Sequence, residues 1–256
     1  AAEDKSSVLV LARFWQVAGE HPRARVSVAA RPGEPQVAAI YQMGALGDLD
    51  KLAEAAGTDK HVHQYTKMYP YLLHAFRGLA FHMLEIGVLR EESLSMWQSS
   101  FPRATIYGAD YNKRTRPDGK FTILPCNQHR PEDSHAIAAF RNWSVVIDDG
   151  SHKPADQLES FLAIFPQMRP GGVYIIEDVE TSFWARGLGR GYLYNWNMKD
   201  ETAETDVVRA FARAVQWVLN RRFNCRVSAP IFSEAVDPMV GMAAFVPNGL
   251  AVVRSP

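Results

Sequence analysis

The sequence predicts an α/β fold, in which a doubly wound, mostly parallel sheet carries helices on both faces. Five short apolar runs, rich in β-branched residues, alternate with segments of helical periodicity, and this alternation is typical of strands joined by crossover helices. The composition agrees, because 47% hydrophobic and 22% charged residues over 256 positions suit one large globular domain with an extension. Acidic residues end four of the five runs, an observation that concerns function as well as fold.

The predicted elements follow one another regularly from about residue 51. Residues 1–50 have mixed character and are predicted to be an N-terminal extension, serving either homo-oligomerisation or the capping of a pocket, and residues 51–256 are predicted to form the main domain. Strands are predicted in AFHMLEIGV, ATIYGAD, FTILPCN, SVVIDDG and GGVYIIEDV. Helices are predicted in EESLSMWQSSF, in Glu132 to Phe140, in PADQLESFLAIFPQM and over about 205–220. Late strands are expected near Cys225 to Val227, at Met242 to Val246 and at Leu250 to Val253.

Charge, run length and cysteine spacing exclude several classes of protein. Lys plus Arg and Asp plus Glu each number 28, so no net field favours nucleic acid or an anionic membrane. No apolar stretch is long enough to cross a bilayer, and the acidic start AAEDKSSVLVLARFWQ is unlike a secretory signal, so a soluble, cytoplasmic protein is expected. Cys126 and Cys225 form neither a C-x-x-C nor a zinc motif; reduced thiols are expected, and a disulfide between them stays open.

Acidic side chains stand at the ends of four predicted strands. They are Glu85, Asp110, the pair Asp148 and Asp149, and the pair Glu177 and Asp178. Ligands of open α/β sheets bind at the carboxyl ends of the strands, so these side chains are expected to converge on one crevice. Any one of them alone could instead be a helix cap or a solvated turn residue.

The first of these strand ends bears on the kind of cofactor. A dinucleotide site needs G-x-G-x-x-G for close approach of a pyrophosphate, whereas LEIGVLREESL has the single glycine Gly87. Glu85, two residues earlier, favours a cationic group, and a strand-end acid such as Asp110 commonly binds ribose hydroxyls. A nucleoside that carries an amino acid therefore fits better than a nicotinamide dinucleotide.

Several short motifs together resemble one enzyme family. They are E-x-G in LEIGV, GAD at the end of the second strand, PCNQ, DDGSH and IIEDVETSFW. From about Gly57 to Trp184, the sequence resembles the Rossmann-like class I S-adenosylmethionine-dependent methyltransferases. More narrowly, it resembles the magnesium-dependent O-methyltransferases that act on deoxysugars of macrolides and related natural products.

The resemblance implies a role for each motif. It implies that Asp149, Glu177 and Asp178 hold Mg²⁺, and that His152 is the general base of a catalytic pair with Asp149. It also implies a set of residues around S-adenosylmethionine: Glu85, Gly87, Asp110, Asn127, Gln128 and Asp148, with Thr58 and Lys60 of GTDK and Tyr65 packing over the cofactor.

The residue types suit this chemistry on their own terms. A sugar hydroxyl is a weak nucleophile near neutral pH, so methyl transfer to it needs the proton to leave as the oxygen attacks. Mg²⁺ prefers carboxylate oxygens, and histidine is the side chain that commonly accepts protons near pH 7. The expected partner is a small-molecule hydroxyl acceptor, either a glycoside or a polyketide-like compound, and neither nucleic acid nor membrane.

Alternatives stay open for the function and for some residues. A catechol-type O-methyltransferase would use the same metal on an aromatic diol, and a non-catalytic assembly protein would bind the cofactor without turnover. His152 taken alone could be a structural hydrogen-bonding residue. The aromatic residues of the segment after the fifth strand could line an acceptor pocket or simply pack a loop; they are Trp184, Tyr192, Tyr194 and Trp196.

Overall fold

The computed structural model describes residues 49–112, 119–183, 208, 211 and 232–256. Within them lies one seven-stranded sheet in the order β3-β2-β1-β4-β5-β7-β6. The strands are β1 His82–Ile86, β2 Thr105–Asp110, β3 Thr122–Pro125, β4 Val145–Asp148, β5 Val173–Glu177, β6 Val240–Val246 and β7 Gly249–Arg254. The first five pair in parallel, and β7 runs antiparallel to both of its neighbours. This architecture confirms the predicted doubly wound, mostly parallel sheet.

Five α-helices of the described residues cover the sheet. They are α1 Leu49–Ala56, α2 Tyr65–Leu73, α3 Glu92–Ser100, α4 Pro131–Phe140 and α5 Pro154–Ile164. Both α4 and α5 begin at a proline, whose missing N–H needs no partner in the first helical turn. Short 3-10 segments, among them Asp59–His61 and Val179–Phe183, connect the helices and strands.

Each face of the sheet buries its own hydrophobic cluster, because successive strand residues point to opposite sides. On the first face, side chains of α1, α2 and α3 pack on alternate strand residues such as Met83 and Ile147. On the second face, side chains of α4 and α5 pack on the intervening residues, such as Ile86 and Tyr174. We use the terms first face and second face in this sense below.

The parallel register sets the height of the acidic strand ends. Asp148 pairs with Ile86 of β1 and with Ile176 of β5. The residues that follow, Asp149 and Glu177, therefore leave neighbouring strands at the same level and on the same face. This level is the carboxyl edge of the parallel strands, where the sequence predicts the ligand.

The described residues test most of the predicted elements. The five predicted parallel strands are all present, and Met242 to Val246 and Leu250 to Val253 lie within β6 and β7. The predicted strand at Cys225 to Val227, the extension over 1–50 apart from its last two residues, the aromatic residues 184–196 and most of the helix over 205–220 fall outside the described residues. No helix of the described residues combines the length and apolar character needed to cross a membrane.

Candidate active site

A buried lysine lies at the centre of the carboxyl edge on the first face. The Nζ of Lys60 is 2.7 Å from Asp149 Oδ2, 2.7 Å from Glu177 Oε2 and 3.2 Å from Glu85 Oε1. The three carboxylates come from the ends of β4, β5 and β1, whereas Lys60 comes from the 3-10 segment Asp59–His61. The lysine, only 2% exposed, therefore joins three strand ends through one charge.

Burial and opposite charge compete in setting the protonation of this cluster. Burial opposes the charge of Lys60, but the carboxylates of Asp149 and Glu177 outweigh it, so the pKa of the ammonium stands well above its usual range. Burial raises the pKa of Glu85 and of Glu177, and in both cases Lys60 acts in the opposite direction. The lysine is thus the charge that favours ionised carboxylates in this place.

Two aromatic side chains complete the surroundings of the buried glutamates. The indole Nε1 of Trp97 donates to Glu85 Oε2 at 2.8 Å, and the hydroxyl of Tyr69 donates to Glu177. Tyr69 and Trp97 also pack edge to face, with ring centroids 4.7 Å apart. Both rings are fully buried, and their hydrogen bonds hold Glu85 and Glu177 from the protein interior.

A second grouping opens outward from the same strand ends. Among the described residues, one set has ligand atoms close enough to hold a metal ion: Asp149, His152 and Asp178, each half-buried, offer atoms within 4.8 Å of one another. The Nε2 of His152 lies 3.5 Å from Asp178 Oδ2 and 3.9 Å from Asp149 Oδ1. Both His152 and Asp178 have φ of +53°, a left-handed conformation that non-glycine residues rarely adopt. Strain of this kind is concentrated at functional sites in proteins.

Two distant residues hold the carboxylate of Asp178 from behind. The hydroxyl of Tyr65 donates to Asp178 Oδ1 at 2.6 Å, and Asn248 Nδ2 donates to the same oxygen at 2.8 Å. The Oδ1 of Asn248 accepts from the backbone N–H of Glu180 at 3.1 Å, so the amide also anchors the chain after β5. Both donors use Oδ1, which leaves Oδ2 facing His152. No sequence pattern indicates Asn248, which lies in the turn between β6 and β7.

On the second face, Asp148 is buried among neutral partners. Its Oδ1 accepts from Gln128 Nε2 at 2.8 Å, and its Oδ2 accepts from the hydroxyl of Tyr174 at 3.0 Å. Gln128 also donates to Ser160 and accepts from the backbone N–H of Ser151 at 2.6 Å. Burial raises the pKa of Asp148 to about 7, although the bonds from Gln128 and Tyr174 act in the opposite direction. Through the bond between Gln128 and Ser151, this network contacts the loop that carries Asp149 and His152.

Two glycines let the loops after β1 and β4 approach each other. Gly87 has φ of +89°, and a Cβ there would collide with the backbone oxygen of Asp149. A Cβ on Gly150 would collide with the side chain of Gln128. Both glycines therefore have a packing reason, and Gly87 allows the backbone of Asp149 to approach closely.

The remaining predicted cofactor residues lie at the end of β2, after β3 and just before the 3-10 segment Asp59–His61. Asp110 is partly buried and accepts from the backbone N–H groups of Val88 at 2.9 Å and of Asn112 at 2.7 Å. Thr58 is buried and its backbone oxygen contacts His61 Nδ1, while Asn127 is partly buried and its Oδ1 accepts from the backbone of His129.

The sequence predicts that the acidic residues at the strand ends converge on one crevice, and in the described residues their side chains meet only in part. Glu85, Asp149 and Glu177 meet on the first face, and Asp149 and Asp178 meet His152 at the outer rim. Asp148 points to the second face and meets none of them through its side chain. The physical reason is the two-residue period of a strand, which sends neighbouring residues to opposite sides.

Comparison with known proteins shows which enzymes the chain resembles. The chain is 30% identical over 248 residues to the 8-demethyl-8-alpha-L-rhamnosyl tetracenomycin-C 2'-O-methyltransferase of Streptomyces olivaceus, covering 92% of this chain and 62% of that protein. It is 36% identical over 148 residues to the mycinamicin VI 2''-O-methyltransferase of Micromonospora griseorubida, covering 54% of this chain and 37% of that protein. The chain therefore spans less than two thirds of the length of these relatives. No family model matches the chain.

Solved structures show the same relationship. The MycE methyltransferase of the mycinamycin biosynthetic pathway, in complex with Mg, SAH and mycinamycin VI, superposes with a TM-score of 0.68 and 27% sequence identity. That alignment covers 82% of this chain and 54% of the other. By sequence, the chain is similar to these O-methyltransferases, and by structure it has the Rossmann-like fold of class I S-adenosylmethionine-dependent methyltransferases.

Proposed function

We propose that this chain transfers the methyl group of S-adenosylmethionine to a hydroxyl of a sugar or polyketide-type small molecule, with Mg²⁺. We also propose that residues 51–256 form the catalytic domain and that residues 1–50 form an N-terminal extension. The observation that carries the proposal is the cluster of carboxylates around one cation at the carboxyl edge. Two carboxylate oxygens, from Asp149 and Glu177, each lie 2.7 Å from Lys60 Nζ. The homology to named sugar O-methyltransferases supports the reaction class.

A magnesium ion is the proposed occupant of this acidic centre. Asp149 and Asp178 have ligand atoms within 4.8 Å of each other, and Glu177 is joined to Asp149 through Lys60. Asp149, Glu177 and Asp178 would hold the ion, because hard carboxylate oxygens are its preferred protein ligands. The ammonium of Lys60 is a stand-in cation whose place between Asp149 and Glu177 supports the fit. When bound, Mg²⁺ supplies Lewis acidity that makes a hydroxyl a better nucleophile.

The cofactor fit rests on the β1 and β2 ends. Asp110 has both carboxylate oxygens anchored by backbone N–H groups and retains lone pairs for ribose hydroxyls. We assign Gly87 and Asn127, with Thr58 and Tyr65, to the surroundings of S-adenosylmethionine. Glu85 and Lys60 would lie at the amino-acid end of the cofactor. Gln128 and Asp148 would support the site through the loop that carries Asp149 and His152.

His152 is assigned the role of general base. It accepts the hydroxyl proton as the acceptor oxygen attacks the methyl carbon and the carbon–sulfur bond breaks, releasing S-adenosylhomocysteine. The proton taken up at Nε2 would lie near two carboxylates, since Nε2 is 3.5 Å from Asp178 Oδ2 and 3.9 Å from Asp149 Oδ1. Alignment of oxygen, methyl carbon and sulfur supplies the rest of the rate through proximity.

The test is methyl transfer measured by mass spectrometry with S-adenosylmethionine, a panel of rhamnosides, deoxysugar macrolides and catechols, and Mg²⁺ or EDTA. We expect a singly methylated product with a glycoside and Mg²⁺, and none with EDTA. His152→Ala should lower turnover by about 10²–10⁴-fold while calorimetry shows unchanged S-adenosylmethionine binding. The matched control is His135→Ala, because His135 is exposed on α4.

Three results would count against the proposal. Absence of S-adenosylmethionine binding under every condition would remove the methyltransferase assignment. Methylation of catechols alone would move the enzyme to the catechol-type class, and full activity of His152→Ala would remove the base assignment.

A further inference from the structure

The place of Lys60 bears directly on the proposed metal site. Its ammonium lies 2.7 Å from both Asp149 Oδ2 and Glu177 Oε2, two of the three oxygen donors assigned to Mg²⁺ above. These distances are those of strong, charge-assisted hydrogen bonds. A divalent ion bound to these two oxygens would take the space of the lysine ammonium. The two cations therefore cannot be bound there at the same time.

A carboxylate taken out of water needs a compensating charge. Glu85 and Glu177 are fully buried, and both contact the Lys60 ammonium. Leaving such groups without a partner is strongly destabilising, because the desolvation of the charge is then uncompensated. The lysine therefore supplies the compensation in the state that the structure describes.

We infer that Lys60 is the resident counter-ion of this acidic centre and that a divalent cation binds between Asp149 and Glu177 by displacing its ammonium. The inference rests on the proposed function, since it needs that cation to bind there. It assigns Lys60 two opposed effects: it gathers the strand ends of the metal-free protein, and it weakens metal binding.

The surroundings explain how a displaced lysine stays satisfied. Glu85 Oε1, at 3.2 Å, is not among the metal donors and remains a partner for the ammonium. Lysine suits this exchange, because its single charge sits on a flexible four-carbon stem, whereas the planar guanidinium of arginine would bind carboxylates in a fixed, two-pronged geometry. The ammonium also lies 5.9 Å from the centre of the Tyr65 ring, which offers a second favourable contact.

The test is metal binding by Lys60→Met, without S-adenosylmethionine or acceptor. Binding of Mn²⁺ is followed by electron paramagnetic resonance, and the melting temperature is measured with EDTA and with Mg²⁺. We expect Lys60→Met to bind Mn²⁺ at least about tenfold more tightly than the unchanged chain, a size typical of changes around metal ligands. We also expect a lower melting temperature in EDTA and a larger rise on adding Mg²⁺. Lys67→Met is the matched control, because Lys67 is exposed on α2.

The outcomes separate the inference from the proposed function. Equal or weaker Mn²⁺ binding by folded Lys60→Met, with binding by the unchanged chain intact, overturns the counter-ion role and leaves the magnesium assignment standing. Absence of Mn²⁺ binding in both overturns the magnesium assignment and the inference with it. Should Lys60→Met fail to fold, the pair Glu85→Gln and Lys60→Met/Glu85→Gln gives the same comparison, because the glutamine removes the buried charge left unpaired.

Discussion

Asp148 and Asp149 are neighbours in sequence and opposites in surroundings. Asp148 points to the second face, is fully buried, and accepts hydrogen bonds from the neutral side chains of Gln128 and Tyr174. Asp149 points to the first face, keeps 27% of its side chain exposed, and contacts the ammonium of Lys60. One carboxylate is enclosed by neutral hydrogen-bond donors, and the other is paired with a cation.

The difference indicates which acid can do chemistry. The partners of Asp148 belong to the interior, so binding a ligand there would require breaking a buried network at high cost. The partner of Asp149 is a single charge that another cation can replace, and the carboxylate already faces His152. We therefore expect substitutions of the two residues to fail in different assays.

The largest expected effect follows from Asp149→Asn. The amide keeps the shape of the side chain but removes the charge that attracts both Lys60 and a divalent ion. We expect turnover to fall by at least about 10³-fold, because the Lewis acid contributes several kcal/mol to such reactions. Mn²⁺ binding should weaken in parallel, whereas the melting temperature in EDTA should change little. Wild-type Mn²⁺ affinity in this variant would contradict the assigned role of Asp149.

Asp148→Asn is expected to affect stability first. Its side-chain NH₂ would face the NH₂ of Gln128 or the hydroxyl of Tyr174, so one buried donor loses its acceptor. Such a loss destabilises a protein by about 1–3 kcal/mol, which urea unfolding would measure. Mn²⁺ affinity of the folded variant should remain within a few-fold. Unchanged stability together with lost S-adenosylmethionine binding would instead make Asp148 a direct cofactor ligand.

The contrast between these acids also shows how far the sequence reaches. Alternating apolar runs predicted the sheet, because strands and crossover helices differ in hydrophobic period. The acids were correctly placed at strand ends. Consecutive strand residues such as Val146 and Ile147 point to opposite faces, so the same rule predicts opposite faces for Asp148 and Asp149. Expecting one crevice overlooked that rule.

Other features could not be predicted from sequence. Lys60 contacts residues 89 and 117 positions away, and Asn248 contacts Asp178 from 70 positions away. No local pattern reports such a contact, since it depends on how a 3-10 segment and a hairpin turn come to rest against the sheet. The structure was needed to find the counter-ion and the residues that hold Asp178.

The smallest expected effect sharpens the comparison at the outer rim, where Asp178 is held by Tyr65 and Asn248. Asn248 has φ of +53°, which glycine adopts readily and alanine does not. Asn248→Gly therefore removes the amide without backbone strain, and Asn248→Ala removes it with strain added. Both variants should bind Mn²⁺ about tenfold more weakly, the lower end of the range for residues that orient metal ligands.

The two variants should differ in stability alone. We expect Asn248→Ala to melt at a lower temperature than Asn248→Gly, because a strained left-handed residue costs about 1–3 kcal/mol. If Mn²⁺ affinity falls only in Asn248→Ala, the variant with the lower melting temperature, then Asn248 is a turn residue and does not position Asp178. Equal weakening in both variants would instead show that the amide of Asn248, on the distant hairpin, positions Asp178 for metal binding.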